Sequence, residues 1–157
     1  RNKLFKSTKD VNIDTDLELM LPDYYVSSTE ERLSLYQKLA EIDNENDLQK
    51  LENELKDRFG ELPEDAVNLL KSVELKWLAA EIGVEKLVVK NGVFLGYFPT
   101  NPQDKFYQSE KFQKIITYLT KNPSEATLKE KNNQLLMRKD HVKNVDEVNA
   151  VLVRILK

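Results

Sequence analysis

The stretch VEKLVVKNGVFLGYF at residues 84–98 constrains the fold more than any other part of the chain. Two β-rich runs flank Asn91-Gly92, a pair that readily takes the positive φ angles of a two-residue hairpin turn. The chain must therefore form an antiparallel strand pair here, directly after a long stretch of helical periodicity. A second segment, ATLKEKNNQLLMRKD at 126–140, repeats the logic with a turn at Asn132-Asn133. A dinucleotide or P-loop fold would need strands alternating with helices and a glycine-rich loop. The four glycines are isolated, so neither fingerprint is present.

Upstream, IDTDLELML alternates, with Ile13, Leu17, Leu19 and Leu21 on one side and Asp14, Asp16 and Glu18 on the other. That is the period of a half-buried strand, ended by Pro22-Asp23. Ser28 with Glu31 forms a capping box that opens a helix to about Ile42. Asn44 caps the next helix, whose Leu48, Leu51, Leu55 and Phe59 share one face. Gly60 suits the residue just past a helix end, and Pro63 the first position of the next helix. That third helix is expected to reach Ile82 with Leu70, Val73 and Trp77 inside. Phe106, Phe112, Ile115, Ile116 and Leu119 describe a fourth helix, and Asn144 with Glu147 opens a last one. The reading is α+β, with helices packed on a small antiparallel sheet in the order β-α-α-α-β-β-α-β-β-α. Residues 1–12 are polar and lysine-rich and read as a linker, leaving 13–157 as a single domain. With no initiator Met, the chain is expected to be a fragment of a longer one.

At 40% hydrophobic residues the chain can bury a core, and no apolar run approaches a membrane span. There is no cysteine, so disulfides and thiolate chemistry are excluded, which fits a reducing compartment. Charge divides unevenly. Residues 1–83 hold 11 Lys+Arg against 19 Asp+Glu, and residues 84–157 hold 13 against 8. A split of this kind suits surfaces that meet charged partners.

The chemistry-bearing candidates are few. His141 is the only imidazole, and no serine context resembles a nucleophile elbow. Asp14, Asp16 and Glu18 could face a divalent cation, but same-face residues on a strand sit about 6.6–6.8 Å apart, too far for one ion to gather all three. A solvated outer face is the plainer reading, and no metal site is assigned. The hairpin region 127–143 carries Lys129, Lys131, Arg138, Lys139 and Lys143 and could lie along nucleic-acid phosphates. Glu130 and Asp140 interrupt it, and it has no aromatic platform. Finally, Glu54, Asp57 and Arg58 form a charged stripe beside the apolar face of the second helix. Glu54 and Arg58, four residues apart, can form an intrahelical ion pair; alternatively, the stripe docks on a charged surface elsewhere.

Four blocks in order carry a resemblance: LELMLPDYYV, TEERLSLYQKLA, LKDRFGELP and LAAEIGVEKL, over residues 17–87. Together they resemble the C-terminal domain of bacterial transcription-repair coupling factors. The resemblance implies a cytoplasmic, non-catalytic regulatory domain, linked through residues 1–12 to an upstream ATP-driven DNA translocase. ATP and Mg would serve that motor and not this domain, which would need no cofactor. It implies docking on an excinuclease-B-like module, masking recruitment of excinuclease A and restraining the motor in transcription-coupled nucleotide excision repair. RNA polymerase and DNA would be met through the parent protein. By the match at Asp-Arg-Phe-Gly, Glu54, Asp57 and Arg58 would dock, while Phe59, Gly60 and Pro63 form the helix corner. The rival function is a nucleic-acid-binding module using the basic hairpin 127–143.

Overall fold

Helix ends and hairpin turns are placed by a handful of residues whose geometry is visible in the computed structural model, which describes residues 11–157. The linker expected over 1–12 lies almost wholly outside the described residues. Strand β1 spans Asn12–Thr15, followed by helices α1 (Thr29–Glu41), α2 (Glu45–Phe59) and α3 (Glu64–Ile82). Strands β2 (Lys86–Lys90) and β3 (Val93–Tyr97) come next, then a 3-10 turn (Lys105–Gln108) and α4 (Glu110–Lys121). Strands β4 (Thr127–Lys131) and β5 (Gln134–Lys139) and helix α5 (Val145–Leu156) complete the chain. The element order is the expected one, and the class is α+β. The chain divides into two compact units, one of residues 18–74 and one of the segment before residue 18 with residues 75–157; the boundary falls within α3.

In the unit of residues 18–74, the caps anticipated from sequence are formed. Ser28 Oγ accepts from the Glu31 amide at 3.1 Å, and Asn44 Oδ1 accepts from the Asp47 amide at 2.8 Å. Each satisfies an otherwise unpaired helix donor. Leu35, Leu39, Leu48, Leu51 and Leu55 are buried, as the helical spacing requires. Gly60 has φ +89° and ψ −167°, a conformation open essentially to glycine alone, and its amide donates to the Lys56 carbonyl at 3.0 Å. Pro63 sits one position earlier than expected. It precedes α3, and its carbonyl accepts the first helical bonds from Ala66 and Val67.

The other unit is built on a five-stranded sheet ordered β1-β2-β3-β5-β4. Both hairpins turn where expected. Asn91, Gly92, Asn132 and Asn133 all have positive φ, the type I′ requirement. The sheet departs from the expected antiparallel form at one edge, where β1 pairs with β2 in parallel. Three helices separate those strands, and a connection of that length allows parallel pairing, as a hairpin does not. Strand β1 is also shorter than the alternation suggested. Thr15 Oγ1 donates to the Val89 carbonyl at 2.6 Å and accepts from the Leu17 amide at 3.0 Å, which ends the ladder. The burial alternation nevertheless continues to Leu21. One sheet face carries Leu87, Val89, Phe94 and Met137, all buried.

The expected fourth helix is two elements. Asp104 accepts from the Phe106 amide and opens the 3-10 turn, while Ser109 accepts from the Phe112 amide and opens α4. Successive caps reset the helix phase, so Phe106 leaves the α4 face and stacks on Phe98, with ring centroids 5.5 Å apart. Helix α3 differs in another way: no residue from Asp65 to Ala80 is exposed, and Val73 and Trp77 are half-buried while Leu75, Ala79 and Ile82 are buried.

Helix α3 ends in a Schellman turn. The Val84 amide donates to the Ala79 carbonyl at 2.9 Å and the Gly83 amide to Ala80 at 3.4 Å, with Gly83 at φ +96°. From α4, Lys111 Nζ donates to the Glu81 carbonyl and Lys114 Nζ to the Leu156 carbonyl, so two lysines of one helix serve the C-terminal ends of two others. Burial holds the Lys111 ammonium below the usual lysine pKa, against the opposing pull of Glu81. Near the other end of α4, Tyr118 donates to Glu125, which also takes a two-pronged contact from Arg154 of α5.

A Cβ at Gly83 would run into the Phe106 ring, whereas one at Gly60 would meet nothing within 4 Å. Gly60→Ala should thus lose about 1–3 kcal/mol from backbone strain alone. Gly83→Ala should lose more, by roughly 1–3 kcal/mol of overpacking, both read by urea denaturation. The Arg154 guanidinium holds the Glu125 carboxyl below the usual carboxylate range. A depressed carboxyl stabilises the fold above its unfolded pKa of about 4.3, and that contribution disappears as pH falls through the lower folded value. Melting temperature measured on descending from pH 5 should fall less steeply in Glu125→Gln than in the unaltered chain.

Candidate functional site at the end of α2

The charged stripe read from the sequence lies on the last turns of α2, within the unit of residues 18–74. Helical spacing places Glu54 and Arg58 one turn apart, and Arg58 Nη1 lies 3.1 Å from Glu54 Oε2. The intrahelical pair is therefore formed. It is also not alone. Lys38 of α1 reaches across to Glu54 Oε1 at 2.8 Å, and Glu31 of α1 pairs with Arg58 Nη2. The four side chains make one alternating chain, Lys38–Glu54–Arg58–Glu31, lacing the two helices together.

Beneath the chain lies an aromatic floor. The Arg58 guanidinium carbon stands 4.8 Å from the centroid of the Phe59 ring. Phe59 in turn meets Tyr25, with centroids 5.7 Å apart at 57°. The Tyr25 hydroxyl donates to the Gly60 carbonyl, just past the end of α2, at 2.8 Å and lies 3.2 Å from that of Leu55, so it ties Tyr25 to the last turn of the helix. Burial first, then the charge of Glu61, raise the Tyr25 pKa above the ordinary tyrosine value. One turn back, Lys56 pairs with Glu52 at 3.0 Å, and that carboxylate raises the Lys56 pKa.

Asp57 is different. It is exposed, and among the described residues it has no ion-pair partner. The structure thus brings Glu54 and Arg58 into one internal network and leaves Asp57 beside it, facing water. Sequence reading missed Glu31, Lys38 and Tyr25 as members of this site. Contacts across two helices leave no period in the chain, and the only available signal was the alternation of sign on facing helix edges.

The other candidates do not assemble. Asp14 pairs with Lys90 at 3.0 Å, and Asp16 accepts from the Asn91 amide at 2.9 Å, so two of the three strand acids already have partners. No cluster of three His, Cys, Asp or Glu suited to a metal ion occurs among the described residues. His141 is exposed at φ +60° in the turn before α5. On the basic hairpin, Arg138 is taken by Asp140 at 2.9 Å. A shallow cleft near Pro99, Pro102 and Tyr107 has Glu130 as its one carboxylate. No helix among the described residues is long and apolar enough to cross a membrane.

Fold and site together define an α+β fold that carries a laced, charged helix edge on α1 and α2. A family model described as the TRCF domain matches residues 15–109, which include the whole of that edge. The chain belongs to the TRCF domain family. It is 29% identical over 147 residues to the transcription-repair-coupling factor of Rickettsia prowazekii, covering 93% of this chain and 12% of that protein. The corresponding protein of Escherichia coli is 33% identical over 81 residues, covering 52% of this chain and 7% of its own length. The chain thus spans a small part of the relatives it matches. Its fold resembles a crystal structure of the C-terminal domain of a transcription-repair coupling factor, at a TM-score of 0.73 and 21% identity, covering 93% of both chains.

Tyr25→Phe should leave the ring contact with Phe59 intact while removing the hydroxyl bonds. Stability should drop by about 0.5–1.5 kcal/mol, seen as a lower denaturation midpoint with an unchanged slope.

Proposed function

We propose that this chain is the non-catalytic C-terminal regulatory domain of a transcription-repair coupling factor, and that it docks through Glu54, Asp57 and Arg58 on an excinuclease-B-like module of the same protein. Docking would mask the surface that recruits excinuclease A and would restrain an ATP- and Mg-dependent DNA translocase lying elsewhere in the parent. Release, on engagement of stalled RNA polymerase, would open the way to nucleotide excision repair in the cytoplasm. The observation that carries the reading is the charged edge at the end of α2 lying inside the matched TRCF segment.

The physics suits such a role. Residues 18–74 hold 15 Asp+Glu against 6 Lys+Arg, so a basic partner surface would be attracted to this unit. A contact made of a few exposed charges is reversible, because each charge retains most of its hydration in both states. Two global states coupled by about 1–3 kcal/mol are enough for another partner to shift the population from closed to open.

The test is binding of this chain to the excinuclease-B-like module supplied in trans, at low and near-physiological salt. Binding should weaken as salt rises. Asp57 has no ion pair to lose among the described residues, so Asp57→Lys should weaken docking by roughly 3- to 30-fold, with melting temperature unchanged. Absence of binding at either salt, or docking indifferent to Asp57→Lys and to charge reversal at Glu54 and Arg58, would reject the reading.

A further inference from the structure

We propose that Glu31 and Lys38 of α1 are positioning residues of this docking surface, acting through Arg58 and Glu54 respectively. The inference rests on the docking reading above and extends it to a second helix. Its basis is the occupancy of the two α2 side chains. Glu54 uses one carboxylate oxygen for Lys38 at 2.8 Å and the other for Arg58 at 3.1 Å. Arg58 is held on three sides, by Glu54, by Glu31 and by the Phe59 ring at 4.8 Å.

Glutamate and arginine on an open helix surface sample many rotamers, and a partner that needs one of them must stop that motion on binding. Here α1 has already stopped it. The side chains remain accessible, with relative exposures of 32% for Glu54 and 40% for Arg58, so the network fixes them without covering them. Such exposed pairs add little to fold stability. Their effect belongs instead to docking, where a pre-set guanidinium and carboxylate meet a partner with less ordering left to do.

The two roles separate experimentally. Affinity for the partner module used above is measured for the unaltered chain, Glu31→Gln, Lys38→Met, Arg58→Ala and the double variant Glu31→Gln/Arg58→Ala, with melting temperature recorded for each. Each α1 substitution should weaken docking by roughly 3- to 10-fold while melting temperature stays near that of the unaltered chain. The double variant should bind no worse than Arg58→Ala alone, because Glu31 acts only through Arg58. Lys38→Arg should retain the affinity of the unaltered chain. Full affinity in Glu31→Gln and Lys38→Met, with docking still lost in Asp57→Lys, would overturn this proposal and leave the docking reading standing. Additive losses in the double variant would also overturn it, by making Glu31 a direct contact. Failure of the unaltered chain to bind would remove both.

Discussion

The end of α3 is the constraint on which the sheet-bearing unit depends. A helix of 19 residues has to stop and turn into the inner strand β2 within the three residues Gly83, Val84 and Glu85. Gly83 makes this possible by taking φ +96°, and the Schellman bonds return the last carbonyls to Val84 and to itself. The same glycine lets Phe106 approach closely enough to stack on Phe98, joining the 3-10 turn to the apolar interior. Strand β2 then sets the register of β1 on one side and β3 on the other. One backbone conformation therefore places both a helix end and an aromatic cluster.

Local chemistry was legible in the sequence; contacts at a distance were not. Ser28, Asn44 and Asn144 announced three helix starts because capping depends on residues three positions apart. The two I′ turns were legible for the same reason. The parallel pairing of β1 was hidden, since strand direction is decided by everything between Thr15 and Lys86. The split of the fourth helix was misread from apolar spacing alone, although Asp104 and Ser109 both carried the signal of a cap. In α3, Leu70 is inside as expected, but Val73 and Trp77 are only half-buried, while Ser72, Leu75 and Ala79 are buried.

At the candidate site the division is the same. The triplet Glu54, Asp57 and Arg58 was visible as a stripe, and its internal ion pair followed from spacing. That Asp57 stands apart from the other two was not visible, because it depends on where α1 lies against α2. Lys38 and Glu31 take the charges they can reach, and Asp57 is left without an ion-pair partner among the described residues. The asymmetry gives the edge a direction: a saturated, rigid end beside an open acid. A partner approaching this surface encounters a fixed pattern of sign and not a cloud of interchangeable charges.

Helix α4 has a further consequence through Lys111 and Lys114. Each donates to the final turn of a different helix, one at Glu81 of α3 and one at Leu156 of α5. The Tyr118–Glu125–Arg154 cluster adds a third tie between α4 and α5. Opening of any one of these segments would strip hydrogen bonds from the others, so the three helix ends are tied together instead of fraying separately. The final turn of α5 at Leu156 is thereby held from α4 as well as by its own backbone.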